Sequence, residues 1–406
     1  MNSTTRNRRK IIILLALALI AVGSPHVACR PGEDRSEPGG SADSRPAASE
    51  TRPATRPDGP DVLRLLIWEG YAPDKYVREF EKRIEAKYNR KIKLKVDVID
   101  GPEDFYGPIR QKRADVVTLT HHHFKDERFN YIAAGLLLPI EAGTIPNLKN
   151  VMPTLRQADF LSDGGRRYGV PICQGPYGLA YNAKKLTAAP DSWRILWDPA
   201  HKGKYVLGGN EYLYNVSTAA LAWGYPDDTI TSYDVLNNED FRGKLRRLAV
   251  GAHSFWIGQD TADDLSGMDL AAVWGDSLGA LRKRGETWDL ARPREKTLCW
   301  VDNYAITWAL KDKPFLRRVA LEWINRLLEP DYQVDYIVRE IAQVPITTNI
   351  AAELTEAETR RLHIGDPDFF TENRILLPTC SRRDRNGLQL LWKNAMKGLP
   401  LRKENR

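Results

Sequence analysis

Residues 61–98 read DVLRLLIWEGYAPDKYVREFEKRIEAKYNRKIKLKVDV, and this stretch decides the fold. Leu63, Leu65, Leu66 and Ile67 form a short apolar run ending at Trp68, the pattern of a strand buried in a parallel sheet. After Pro73 and Asp74, the residues Val77, Phe80, Ile84 and Tyr88 fall on one face of a 3.6-residue period, which predicts a helix. From 91 to 98 the period becomes two, with Ile92, Leu94, Val96 and Val98 alternating with polar neighbours as in a half-exposed strand. Strand, helix and strand, followed by a β-rich segment at 114–119, indicate an α/β sheet with crossover helices.

Downstream the theme continues, with strand signals at 205–207 and 270–274 and a helical stretch at 217–223. The strongest helical pattern is 314–328, where Phe315, Val319, Trp323, Ile324 and Leu327 share one side and Asp312 is placed to cap it. No internal repeat recurs at a fixed period. Upstream the sequence differs in kind. Arg6, Arg8, Arg9 and Lys10 precede a twelve-residue apolar run, 11–22. That is too short for a span of about 20 helical residues and right for an export signal, expected over residues 1–28. The small residue Ala28 before Cys29 resembles a bacterial lipoprotein cleavage box, with His26 where an aliphatic residue is usual. Cys29 is the expected lipidation site and membrane anchor, with ordinary cleavage nearby as the alternative. Residues 29–61, rich in Pro, Gly, Ser and charge, cannot offset the entropy of ordering and read as a disordered tether.

The chain has 406 residues, 42% of them hydrophobic, enough for two or three domains of roughly 100–200 residues. Its net charge of +7 comes from the two ends: residues 1–60 carry +3 and residues 381–406 carry +6, so the body between them carries −2. A polyanion is not its expected ligand, and no nucleic-acid partner is expected. Eleven Trp, sixteen Tyr and ten Phe in a mildly acidic setting suit a small cationic or apolar molecule. The remaining cysteines, Cys173, Cys299 and Cys380, have long irregular spacings and no C-x-x-C pair, which argues against a metal cluster or a disulfide scaffold and leaves one disulfide open. Consecutive His121, His122 and His123 on an extended chain point to alternating sides and read as a polar loop at a strand end. No G-x-S-x-G, H-E-x-x-H or P-loop occurs, so no enzyme and no cofactor is expected.

Several phrases, in order along residues 62–400, are similar to those of the spermidine/putrescine-binding periplasmic proteins, the solute-binding subunits of polyamine ABC importers. They are Trp68-Glu69-Gly70-Tyr71 before the first helix, Tyr168-Gly169-Val170-Pro171 with Gly178 to Asn182, and Ser192-Trp193, Leu196-Trp197 and Lys202-Gly203-Lys204. Trp274-Gly275-Asp276-Ser277, Trp300-Val301-Asp302, the stretch from Asn325 to Pro330, and Val344 to Asn349 complete the set. The resemblance implies a two-lobe periplasmic-binding-protein-like (type II) α/β fold with the ligand in an interlobe cleft. Lobe one would be residues 62–177 plus 303–350, lobe two 178–302, and 351–406 helices packed across the back.

The resemblance also implies a site for a flexible chain of methylenes and ammonium groups, which needs carboxylates and flat aromatic walls. Asp302 beside Trp300 is the expected central anchor, and Glu211 a carboxylate for a terminal ammonium. Trp68, Trp274 and Trp300 would form the box, with Tyr214 stacking and Glu69 and Tyr71 contributing contacts. Trp68, Thr120, Trp274 and Trp300 each end a strand-like run, which places them near one cleft without reference to the family. Thr120 and His122 stand where Ser and Tyr are common; a protonated His122 would repel a dication and favour binding at higher pH. Val344 likewise replaces a Tyr. The implied partners are a small cationic ligand, the membrane permease subunits and, if Cys29 is acylated, the membrane itself; the implied location is the periplasm. Alternatives on the same fold are a ferric ion, for which Tyr212, Tyr214 and Tyr304 are candidates, a thiamine-like cation, an amino-acid conjugate or a phosphonate, or a sensor lipoprotein, with a metal-dependent enzyme more remote. An anion would want an arginine facing the cleft, and the phrases above offer none.

Overall fold

The apolar run at 61–68 becomes β1 (Asp61–Trp68), with Leu63, Leu65 and Ile67 buried. Helix α1 (Asp74–Tyr88) follows and buries Tyr76, Val77, Phe80 and Ile84. β2 (Ile92–Ile99) then pairs parallel with β1, Asp61 opposite Ile92 and Trp68 opposite Ile99. It lies at the sheet edge with Val98 51% exposed, which is why its sequence alternates where that of β1 does not. The computed structural model describes residues 59–399 apart from 100, 142, 363 and 365–372; the export signal, Cys29 and the tether through residue 58 lie outside the described residues.

β3 (Val116–Thr120) pairs parallel with β1 on its other side, and β4 (Val170–Pro176) carries the chain to the first crossing at Tyr177. A second sheet then forms from β5 (Gly178–Asn182), β6 (Tyr205–Gly208), β7 (Ser254–Trp256), β8 (Leu270–Val273) and β9 (Trp288–Leu290), in the order β9-β5-β8-β6-β7. Helices α2 (Tyr212–Ala222) and α3 (Glu239–Gly251) connect β6 to β7. The chain returns through β10 (Thr297–Ile306), antiparallel to both β3 and β4. Helix α4 (Pro314–Arg326), the strand β11 (Val344–Pro345), β12 (Arg374–Leu376) and helix α5 (Arg382–Ala395) complete the chain. The first sheet has the order β11-β4-β10-β3-β1-β2, with β12 added on β10. These are the two α/β lobes that the sequence implies, joined by two crossings that run side by side, Tyr177 N–H donating to Leu298 O and Ala291 N–H to Leu179 O, both at 2.8 Å.

Three expectations change, and one open alternative is decided. The division expected at residue 302 falls inside β10, which pairs with β4 from Cys299 to Tyr304, so the return crossing lies at 291–296. The C-terminal segment does not lie across the back: β12 extends the first sheet and α5 packs on α2 and α3, burying Leu388, Leu391 and Trp392. Lys313, not Asp312, takes the cap position of α4, with no side-chain bond; Pro314 at the first helical position needs none for its missing N–H. Cys173, Cys299 and Cys380 are all buried, and no disulfide joins them to one another.

Candidate functional site

The strand ends of both sheets open on one cavity of about 1560 Å³. Trp68 reaches it from the end of β1, Glu69 and Tyr71 from the loop that follows, Thr120 from the end of β3 and His122 from the turn after it. Glu211 and Tyr214 come from the start of α2, Trp274 from the turn after β8, and Trp300 and Asp302 from β10. The structure thus brings all ten residues expected from the sequence to one cavity, although Trp300 lies within a strand rather than at its end.

Asp302 is built in by register. It stands opposite Thr120 across β10 and β3, so the Thr120 hydroxyl donates to Asp302 Oδ1 at 2.6 Å. The Tyr71 hydroxyl donates to Oδ2, also at 2.6 Å. Burial raises the Asp302 pKa to about 6, and these two bonds pull it back down. The carboxylate is ionised at neutral pH, buried, and without a basic partner in these contacts, the condition in which an arriving ammonium gains most. The Tyr71 loop is pinned from behind: its carbonyl accepts from the Tyr304 and Tyr332 hydroxyls at 2.9 and 3.2 Å, and the Gly70 carbonyl accepts from Tyr336. Tyr332 and Tyr336 belong to a π-helix, Tyr332–Glu340, a form common at functional sites.

The aromatic wall is a lattice of edge-to-face rings. Trp274 meets Tyr214 at 4.7 Å, Tyr177 at 4.9 Å and Trp300 at 6.4 Å. The Trp274 turn is held by buried Asp260, which accepts from the backbone N–H groups of Trp274 and Ser277 at 2.7 and 3.1 Å. Glu211 precedes α2, partly exposed, and packs against Gly208, where an added Cβ would lie 2.5 Å from Glu211 Cγ. Desolvation raises its pKa to about 8. Glu69 is exposed at the mouth.

The three histidines form a buried 3-10 turn rather than an extended polar loop. His121 is structural, with Nε2 2.9 Å from the Leu377 carbonyl and Nδ1 accepting from Val301 N–H. Burial lowers the His122 and His123 pKa values well below the usual value. His122 is therefore uncharged at neutral pH, and the repulsion expected of a protonated imidazole is absent. The Tyr304 hydroxyl is committed to the Tyr71 carbonyl, so Tyr212, Tyr214 and Tyr304 do not converge as a ferric site. Among the described residues no cluster of three His, Cys, Asp or Glu is arranged for a metal.

Sequence reasoning missed Tyr177, Asp260 and above all α5, whose Arg385 lines the cavity and is 2% exposed. An arginine does face the cleft. The available signal was the apolar face of Leu388, Leu391 and Trp392, which demands a packing partner for α5 without saying which.

The family model for bacterial extracellular solute-binding proteins matches residues 111–373. The spermidine/putrescine-binding periplasmic protein of Escherichia coli is 24% identical over 305 residues, covering 74% of this chain and 81% of its own. The putrescine-binding periplasmic protein of Pseudomonas aeruginosa is 24% identical over 333 residues, 78% of this chain and 85% of its own. In structure, the spermidine/putrescine ABC transporter substrate-binding protein of Streptococcus pneumoniae matches with a TM-score of 0.67 at 16% identity, covering 82% of this chain and 98% of its own. With the family match spanning more than half its length, on two lobes that enclose one lined cavity, the chain belongs to the bacterial extracellular solute-binding proteins, which hold a ligand rather than transform it.

Proposed function

We propose that this protein captures a polyamine or a related alkylamine between its lobes and presents it to the permease of an ABC importer. The observation that carries the reading is Asp302, a buried carboxylate bonded by two hydroxyls and lying in a cavity walled by Trp300, Trp274 and Tyr214. An ammonium would pair with the carboxylate while methylenes lie along the rings, which also attract the cation through their π faces. The names of the relatives from Escherichia coli and Pseudomonas aeruginosa support the same ligand class. Tyr71, Thr120 and Asp302 come from the first sheet and its loops, Glu211, Tyr214 and Trp274 from the second, so a ligand touching both sets favours the closed form. Export and acylation at Cys29 would keep the protein beside its permease; mass spectrometry of the mature N-terminal peptide reads that modification.

Calorimetric titration with putrescine, spermidine and spermine at pH 7.5 tests the reading. Saturable binding is expected, weakened by roughly 2–5 kcal/mol in Asp302→Asn, a loss of about thirtyfold to a few thousandfold. Equal binding by the variant would remove Asp302 as the anchor, and flat traces for all three amines would end the polyamine reading.

A further inference from the structure

The cavity presents two unlike sets of charged groups, Asp302 and Arg385. At Asp302 the polar atoms offered to a ligand are carboxylate oxygens; around Arg385 they are chiefly N–H groups. Arg385 Nη2 lies 3.0 Å from Asp126 Oδ2, but no hydrogen bond is directed along that contact, and its Nε–H has no acceptor. Asp126 is shared: Arg128 donates to both its oxygens, at 3.2 Å from Nε and 3.0 Å from Nη2, and also to Glu103 Oε1 at 2.8 Å, so Arg128 is doubly paired while Arg385 has only a share of Asp126. Arg385 lies close enough to the Tyr212 hydroxyl to pull its pKa down against the rise caused by desolvation.

Beside it three rings run in series. Trp68 lies 6.5 Å from His123, and His123 4.2 Å from His122, centroid to centroid. Trp68 Nε1 and the Nδ1 atoms of His122 and His123 are buried without a hydrogen-bond partner. An indole N–H and a guanidinium N–H only donate, whereas an imidazole nitrogen takes either role. Glu211 lies in the same cavity, its carboxyl pKa raised by desolvation.

A diammonium chain brings donors only. It leaves the Arg385 and Trp68 N–H groups unpaired and sets its second charge against a guanidinium. A carboxylate accepts from N–H groups of either kind and meets a guanidinium with short, charge-assisted bonds. We infer that the ligand is a zwitterionic alkylamine, its ammonium on Asp302 and its carboxylate on Arg385. This rests on the amine-capture reading above, since Asp302 keeps its role, and it narrows the class by what Arg385 accepts.

The test is calorimetry on the full-length protein at pH 7, with the diamines of three to six carbons and the ω-amino acids of equal length. On the wild-type protein one ω-amino acid is expected to bind at least about tenfold more tightly than the diamine of its length. Arg385→Gln is expected to weaken that ligand by about thirtyfold or more and to abolish the preference, while Arg385→Lys, which keeps the charge, retains part of it. Tighter binding of diamines than of every ω-amino acid by the wild-type protein overturns the inference and leaves amine capture standing. Binding of neither series overturns both. The deciding comparison is made on the unaltered protein, so a variant that fails to fold does not rescue the idea.

Discussion

Asp302 and Glu211 are carboxyls that the fold makes reluctant to ionise, one at about 6 and the other at about 8. When a carboxyl pKa is raised by folding, the native state holds the proton more tightly, so stability falls as pH rises from the unfolded value to the folded one. The windows run from 3.8 to about 6 for Asp302 and from 4.5 to about 8 for Glu211. An ammonium offsets that cost only once the carboxyl is ionised. Affinity for putrescine should therefore rise with pH up to about 8 with release of protons, read by calorimetry in two buffers of different ionisation enthalpy. Glu211→Gln should flatten the upper part of that rise and stabilise the unliganded protein above pH 8 by on the order of 1 kcal/mol, since partial exposure screens the full shift. Thermal melts at pH 5 and pH 9 read the second effect; a gain of equal size at both would sever it from ionisation. The buried histidines act in the opposite sense: their folded pKa values are lowered, His121 to about 4, so their contribution is lost as pH falls below 6.5. At this scale Trp300 and Asp302 were legible because the Trp-x-Asp phrase is contiguous. The charge state of His122 was not, because depth of burial sets it.

At the scale of elements, β10 organises the site. Its register sets Asp302 opposite Thr120, and the ladder irregularity between Asp302 and Asn303 on the β4 side marks the same point. Trp300, two residues earlier, lies over Gly175 of β4, where an added Cβ would come within 2.5 Å of Trp300 Cζ2 and 2.6 Å of Gln343 Oε1. Gly175→Ala should push the indole out of place, costing about 1–3 kcal/mol in stability and weakening amine binding together. Urea denaturation and calorimetry on the same variant check it; unchanged affinity would show that Trp300 is not part of the ligand wall. Strands and helices with strong periodicity were readable. The π-helix behind Tyr71 was not, because its turns are set by Tyr332 and Tyr336 reaching the Gly70 and Tyr71 carbonyls more than two hundred residues away in sequence.

At the scale of the molecule, α5 ties the two halves. Arg382 N–H donates to Glu127 at 3.0 Å and Arg385 pairs with Asp126, while Asp384 accepts from Tyr233 N–H at 2.8 Å and Trp392 Nε1 donates to the Gly209 carbonyl at 2.9 Å. Trp392→Ala should cost about 3–5 kcal/mol by the cavity it leaves, measured by urea unfolding. A cost below about 1 kcal/mol would mean that the helix lies outside the cooperative core.

The sequence by itself determined the α/β class, the parallel β1-α1-β2 unit and the set of aromatic and acidic residues that meet in the cleft. Those features are written in local periodicity and in short contiguous phrases. Only the tertiary structure decided where the chain recrosses between sheets, that the three histidines are buried and neutral, and that Arg385 faces the ligand cavity. Each depends on which surfaces an element buries against distant ones, and a helix's apolar face states that it must be covered without naming what covers it.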